Sequence, residues 1–366
     1  MHGLFLIHEI LLVMMKRIIT FGAFSICLFL GCQRSKKMLS KYQTIAISEA
    51  TLDSLLSQYN DVIIEKAVSY LAIPPMPLTQ FKAERSAGTI HDFYSEGDYW
   101  CPDPKNSNGP YIRKDGMTNP ANFLDHRKAV RNLNEWVTTL VAAYEISKDQ
   151  RFADHAIKHL SIFFLVENAR INPKLLFAQA IKGRHTGRGI GIIDTIHLIE
   201  MTKAILKLLD MDKLSTENMS GFAKWFEDYT TWLTTHEYGL KEKQHGNNHS
   251  TWWAAEVAAF ANLTGRTDHM EVARSQFKKL LSAQMEPSGG FTDELSRTKP
   301  YIYMLFHLEG YAILCDLAST KEENLWTYQG ENGSIKKARD YMMPFIKGKS
   351  TWTYPPDVQN FNEVPI

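Results

Sequence analysis

The run His245-Gly246-Asn247-Asn248-His249-Ser250-Thr251-Trp252-Trp253 sets two amides and a histidine against the start of an apolar helix. Asn248 or Ser250 is placed to cap that helix, because a short oxygen-bearing side chain can accept from the free N–H groups of the first turn. His249 then lies at the positive end of the helix dipole, which disfavours the imidazolium form. A histidine held neutral is suited to act as a base. Asn248 offers an amide donor that bonds a carboxylate without adding charge. The plain alternative is an ordinary helix cap with a hydrogen-bonded histidine.

A second run, Gly289 to Tyr303, reads GGFTDELSRTKPYIY. Pro300 suits the first turn of a helix, which puts Arg297 just before it and Tyr303 inside it. Tyr303, Phe306, His307 and Gly310 share one helical face by the i, i+3, i+4, i+7 spacing, and Tyr301, Leu305 and Leu308 share another. The face with Tyr303 and His307 mixes polar and apolar groups, which fits a cleft better than a core. Arg297 can grip a carboxylate through two N–H groups, or lower the pKa of a nearby phenol. Taken singly, the two are more simply a surface arginine and a half-buried tyrosine.

Other candidates carry less. His155 and His159 have the i, i+4 spacing of a helical metal pair, but no HExxH glutamate lies between them, and an exposed polar face is the expectation. Gly187-Arg188-Gly189-Ile190-Gly191 imitates a phosphate loop, yet Ile192 breaks GxGxxG and no strand is expected before it. It reads as a tight helix entry with Arg188 available for ligand contact. Asp293 and Glu294 would be a carboxylate pair for hydrolysis, but adjacent residues seldom face one cleft. Lys182, Arg184, His185 and Arg188, with Lys241, Lys243 and His245, would line a basic groove for a polyanion, or else form two solvated loops.

The elements that must position these residues are helical. Leu52, Leu55, Leu56 and Tyr59 follow the helical period, and the pattern recurs over 126–146, 151–166, 190–210, 217–235, 250–264, 268–285, 300–318 and 334–347. An internal echo links WVTTLVAA (136–143) to WWAAEVAA (252–259), each running through a polar turn into a second amphipathic helix. Helical hairpins repeated in this way predict an all-α fold, an α/α toroid or incomplete barrel of hairpins. The exception is 73–125, rich in Pro and Gly but carrying Tyr94, Tyr99, Trp100 and Tyr111. A loop this long with so many aromatics reads as an ordered segment over the toroid mouth. Tyr94, Tyr99, Trp100 and Tyr111 would there stack on sugar rings, or else plug the helix ends.

Composition sets the outer bounds. The 366 residues are 44% hydrophobic and 22% charged, with net charge +1, which excludes a disordered chain and leaves no global field to attract nucleic acid. Met15-Lys16-Arg17 opens a basic stretch, and the apolar run Ile18 to Leu30 ends at Gly31-Cys32. That pattern resembles the lipobox of a bacterial lipoprotein signal, so residues 1–31 are expected to be a signal peptide and Cys32 lipidated. Residues 32–45 then form a polar tether, and 46–366 a single domain, exported and lipid-anchored in the periplasm or outer membrane. Export also permits a Cys101–Cys315 disulfide.

GNNHSTWW (246–253), with the arginine of ELSRTKPYIY 48 residues after its histidine, resembles the alginate-lyase superfamily of polysaccharide lyases. The resemblance extends to SAGTIHDFYSEGDYWCPDP (86–104), GPYIRKDGMTNPANFLDHR (109–127) and GRGIGIIDT (187–195). It implies an α/α toroid that cleaves an anionic uronic-acid polymer by β-elimination. It further implies that no cofactor or metal is needed, since amide and arginine take the metal's place. Asn248 then corresponds to the carboxylate-neutralising amide, His249 to the catalytic histidine, Arg297 to the supporting arginine and Tyr303 to the catalytic tyrosine. Some branches place the tyrosine seven residues after the arginine, at Met304 here, and Tyr301 is the other nearby phenol. Arg188, Glu242, Tyr94, Trp100, Arg113, Lys299 and His307 make up the expected substrate-binding set. Elimination takes the C5 proton beside the uronate carboxylate and expels the C4 oxygen. In mannuronate and glucuronate the two lie on the same side, so one tyrosine can serve as base and acid in turn. If they lie on opposite sides, His249 is the base and Tyr303 the acid, a choice left open here. The expected polymer is alginate (poly-mannuronate) or glucuronan. The rival readings are a glycoside hydrolase on the same toroid and a lipoprotein that binds glycans without cutting them.

Overall fold

The computed structural model describes residues 49–362, with side chains from residue 59 onward. The signal peptide, the tether and Cys32 lie outside the described residues. The helices, in chain order, are α1 (Glu49–Tyr70), α2 (Asp125–Ser147), α3 (Gln150–Phe164), α4 (Leu198–Asp210), α5 (Thr216–Thr235), α6 (Glu237–Lys243), α7 (Asn248–Thr264), α8 (Thr267–Gln284), α9 (Thr292–Leu295), α10 (Pro300–Ala318) and α11 (Ile335–Lys347).

Burial sorts these helices into two layers. α3 buries Phe152, Ala156, Leu160 and Phe163 along one stripe and leaves Arg151, Asp154 and Lys158 exposed, as an outer helix must. α7 instead buries Trp252, Trp253, Ala255, Val257, Ala258 and Phe260 on all sides, the mark of a helix with neighbours all round. The inner layer runs α2 on α4, α4 on α7, and α7 on α10. α1 and α3 back α2, α5 and α8 back α7, and α11 backs α10. Gly310 brings α10 close to α7: a Cβ there would lie 3.1 Å from the Trp252 ring, which also stacks on Phe306 with centroids 4.8 Å apart. Trp136 and Trp252, the two ends of the internal echo, both open inner-helix segments. The expected α/α toroid is the fold.

The inner layer is open. Among the described residues no comparable packing returns α10 to α2. The segment between α1 and α2 bridges this side, and it is ordered by short strands and buried side chains. β1 (Tyr94–Glu96), β2 (Trp100–Cys101) and β3 (Ile112–Arg113) lie within it, and β4 (Phe177–Ala180) follows α3. β1 pairs in parallel with β4, and β2 antiparallel with β3. Asn119 Nδ2 donates to Trp100 O at 2.9 Å and Asn122 Nδ2 to Gly97 O at 3.0 Å, so side chains satisfy backbone groups that no long sheet covers.

Several expectations change here. The helix expected over 190–210 divides into a 3-10 turn, Gly189–Thr195, and α4. Gly187 and Gly191 serve close packing: a Cβ would fall 1.9 Å from Leu176 O and 2.4 Å from Ala178 Cβ, respectively. His159 is fully buried beside Trp136, contrary to the exposed face expected, with Nε2 3.1 Å from His155 Nε2. Cys101 and Cys315 are free, so the disulfide does not form.

Candidate active site

The N-terminus of α7 is capped by Asn247, whose Oδ1 accepts from His249 N at 3.1 Å. Asn248 and Ser250, the two expected caps, are engaged elsewhere. Ser250 Oγ donates to Glu242 O at 2.9 Å. Asn248 donates both its backbone N–H and Nδ2 to Glu294 Oε1, each at 2.8 Å. That grip uses one of the two Nδ2 hydrogens, on a side chain whose residue is 2% exposed. Glu294 is fully buried on α9, and His307 Nδ1 lies 3.2 Å from the same oxygen. Burial pushes the Glu294 carboxyl up, but His307 and Asn248 outweigh it, so its pKa is lowered.

His249 meets a buried carboxylate, not only a helix end. Its Nδ1 lies 2.7 Å from Glu242 Oε1, on α6, and Glu242 is buried. The carboxylate draws the proton to Nδ1 and leaves Nε2 as the free nitrogen. Burial disfavours the imidazolium, but Glu242 and then Glu294 more than compensate, so the pKa of His249 is raised. The expectation of a histidine held neutral by the helix dipole is corrected, because a carboxylate at hydrogen-bond distance outweighs a dipole end. His245 stacks on the same ring with centroids 4.8 Å apart.

On α10, Pro300 occupies the first turn as expected. Tyr303 is partly exposed, and its hydroxyl lies 2.5 Å from that of Tyr99. Arg297 Nη2 donates to the same oxygen at 3.3 Å, with its guanidinium 4.4 Å from the ring centroid. Arg297 is held in turn by Asp115, with Nη2 to Oδ1 at 3.3 Å. Burial and Tyr99 push the Tyr303 phenol well above its ordinary range and outweigh Arg297, so the expected lowering by arginine is not the net effect. Tyr301 is fully buried against Trp352 and Phe361, and Met304 is core, accepting from Phe291 N. Of the three positions weighed, only Tyr303 is partly exposed and bonded to polar side chains. Asn248 of the first motif bonds Glu294 of the second, three residues before Arg297, so the two motifs share one site.

The remaining predicted residues divide. Trp100 is partly exposed, with the guanidinium of Arg184 5.4 Å and that of Arg188 6.0 Å from its ring. Arg188 Nε donates to Gln179 O at 2.8 Å, and Arg113 is exposed, bonded to Asp115 and paired with Trp100 across β2 and β3. Lys299 lies over the Tyr99 ring at 5.6 Å. Two are corrected. Tyr94 is 2% exposed and donates to Glu96 Oε1, so it cannot stack on a ligand. His307 is 1% exposed and bonded to Thr251 and Gln284, so it supports Glu294 from behind. Asp293 is exposed while Glu294 is buried, so the two form no hydrolytic pair. The sequence offered Glu294 only as half of a hydrolytic pair and Tyr99 only as one of the loop aromatics, and did not mark Asp115. Tyr99 and Asp115 stand within the quoted runs, but nothing local marks Glu294 as the acceptor for Asn248. It also passed over Gln179, a non-glycine at φ 48° whose backbone N–H is held by Ser95 Oγ.

A helical toroid that gathers an amide, an imidazole and a guanidinium near a hydrogen-bonded phenol has an architecture that suits a polysaccharide lyase. The family follows from sequence: residues 78–352 match the profile described as Alginate lyase, and the chain belongs to that family. An alginate lyase from Bacteroides ovatus superposes with a TM-score of 0.77 at 30% identity, over 86% of this chain and 84% of its own. A histidine-to-alanine variant of alginate lyase A1-III complexed with tetrasaccharide gives a TM-score of 0.55 at 14% identity, over 81% of this chain and 80% of its own. Alginate lyase A1-III from Sphingomonas species A1 gives 0.51 at 13%, over 78% and 77%. The last two establish likeness of fold. No curated protein matches the chain. The protein is a polysaccharide lyase for an alginate-like polymer.

Proposed function

We propose that the enzyme cleaves mannuronate-rich alginate by β-elimination at C4–C5, with glucuronan the closest alternative polymer. The second N–H of Asn248, together with Arg297, binds the uronate carboxylate and stabilises the charge that develops as the C5 proton leaves. Tyr303 is the group at the reacting atoms. One observation carries this reading: its phenolic oxygen is held between Tyr99 at 2.5 Å and Arg297 at 3.3 Å, on the one tyrosine of its helix turn that is partly exposed. Protonated at rest, it is ready to protonate the departing C4 oxygen. Both neighbours can also donate to a phenolate, which is what a tyrosine acting first as base requires. In mannuronate, proton and leaving oxygen share a side, so Tyr303 serves both steps and His249 adds positive character beside the carboxylate. A second reading is favoured by the Glu242–His249 contact. With Nδ1 committed to Glu242, Nε2 is free to take a C5 proton from the opposite face, as guluronate would present it.

Support for the substrate class also comes from a fold neighbour held in complex with a tetrasaccharide. The test is ultraviolet absorbance during incubation with poly-mannuronate, poly-guluronate and glucuronan. Growth of the conjugated double bond fastest on poly-mannuronate, and absent in Tyr303→Phe, is the expected result. Faster growth on poly-guluronate moves the base to His249, and a flat trace on all three rejects the polymers named. We further propose lipidation at Cys32 and a periplasmic or outer-membrane location, on the sequence pattern alone. Incorporation of labelled fatty acid that persists in Cys32→Ala would refute it.

A further inference from the structure

Helix α10 presents Tyr303, yet the sequence just before it offers no cap. Lys299 has no side-chain oxygen and makes no capping bond, and Pro300 has no N–H. Tyr303 N already bonds Lys299 O at 3.1 Å. The two donors between them are bonded by one side chain from far along the chain. Asp357 Oδ1 accepts from Tyr301 N at 2.9 Å and Oδ2 from Ile302 N at 3.0 Å, and Asp357 is 6% exposed. Every N–H of the first turn is thereby satisfied, and a carboxylate sits at the positive end of the dipole.

The strap that carries Asp357 is itself anchored at this turn. Val358 N donates to Thr298 O at 3.0 Å, and Lys299 Nζ to Gln359 Oε1 at 3.2 Å. Trp352 and Phe361 pack edge-on to Tyr301, with centroids 5.1 and 5.7 Å away. The loop of Asp115 closes the other side, where Thr298 Oγ1 donates to Asp115 Oδ2 at 2.9 Å. Gly116, at φ 77°, admits this junction: a Cβ there would lie 2.5 Å from Thr298 Oγ1 and 2.7 Å from Val358 Cγ2. The family match ends at residue 352, so Asp357 lies beyond it.

We propose that the C-terminal strap, through Asp357, caps α10 from a distance and holds Arg297 and Tyr303 in register, making Asp357 a positioning residue for the elimination. The inference rests on the role given to Tyr303 above. Tyr303 makes the first intrahelical bond of α10, so fraying of that turn displaces its hydroxyl from Tyr99 and from the substrate. A misplacement of about 1 Å is enough to cost roughly 100-fold in rate.

The test compares Asp357→Ala and Asp357→Asn in the full chain, by steady-state kinetics and by amide hydrogen exchange over residues 299–306. In Asp357→Ala, exchange is expected to accelerate in this first turn only. Its kcat should fall roughly 10- to 100-fold, with KM changed far less. Asp357→Asn keeps one acceptor and should lie between. Unchanged exchange at the turn refutes the cap, and faster exchange with native kcat refutes the positioning role. If Asp357→Ala does not fold, Asp357→Asn is judged by the same two criteria. Tyr303→Phe is measured alongside. Native turnover there defeats the reading of Tyr303, while the exchange result still decides the cap.

Discussion

Replacing Glu242 by glutamine keeps the shape of the side chain that holds His249 and removes its charge. Glu242 Oε1 lies 2.7 Å from Nδ1, with both groups largely shielded from water. An opposite charge at this range moves a titration by about 1–3 pH units, or about 1.4–4 kcal/mol. Burial and Arg297 both oppose the imidazolium in the native protein, and without the Glu242 charge they prevail. The His249 midpoint in Glu242→Gln is therefore expected to fall, from above the ordinary value of 6.5 to below it. Nuclear magnetic resonance of labelled histidine reads the midpoint, and product absorbance reads the pH–rate profile. The direction separates the two roles of His249. If its imidazolium helps neutralise the substrate, the alkaline limb moves down in the variant. If its neutral form is the base, the acid limb moves down instead. A midpoint that stays or rises refutes the assignment of Glu242 as the group that sets His249. Stability follows the same linkage. A raised folded pKa gives stabilisation that is full below the unfolded value and lost as pH rises through the folded one, so Glu242→Gln should flatten that loss above pH 6.5.

Three further outcomes are expected. Tyr303→Phe should lower kcat by about 100- to 10,000-fold, the usual worth of a positioned acid or base, while calorimetry still detects tetrasaccharide binding; native turnover defeats the assignment. Glu294→Gln weakens both bonds to Asn248 by removing a charge from the shared acceptor. Since a bond to a charged group is worth about 1.5–3 kcal/mol and only part is lost, kcat/KM should drop roughly 10-fold, and an unchanged value would show that Asn248 needs no such hold. His159 is fully buried, and burial followed by the His155 charge lowers its pKa from 6.5 to about 4. The unfolded chain then binds the proton first, so this stability is present above pH 6.5 and lost as pH falls toward 4, by about 3 kcal/mol in all. Denaturation of His159→Phe at pH 7 and 4.5 should show a smaller acid loss than the native chain, and an equal loss in both places the acid sensitivity elsewhere.

Much of the fold was legible because it is written in local periodicity. The stripe of α3 and the all-round apolar surface of α7 depend on residues three and four apart, which any helix brings together. The helix starts were legible to within a few residues, since Pro300 and the Asn-Asn-His run act through the turn they occupy. The helix split at Gly189–Thr195 was not, because it follows from the approach of Gly187 and Gly191 to β4, a contact across separate segments.

The candidate site divides along the same line. Residue types and spacing in the sequence singled out Asn248, His249, Arg297 and Tyr303, and with them a chemistry of amide, imidazole, guanidinium and phenol. Their protonation was decided only by the tertiary structure. His249 meets Glu242 from the preceding helix, and Tyr303 meets Tyr99 from the bridging segment. A pKa responds to charge and burial within a few ångströms, whatever the distance along the chain. Tyr94 and His307 show the same limit from the other side. Their types suit ligand contact, and only packing decided that both are buried. The sequence could name the candidate groups. It could not say that Glu294 orients one of them or that Asp357 caps the helix presenting another, because those partners are adjacent only in the folded chain.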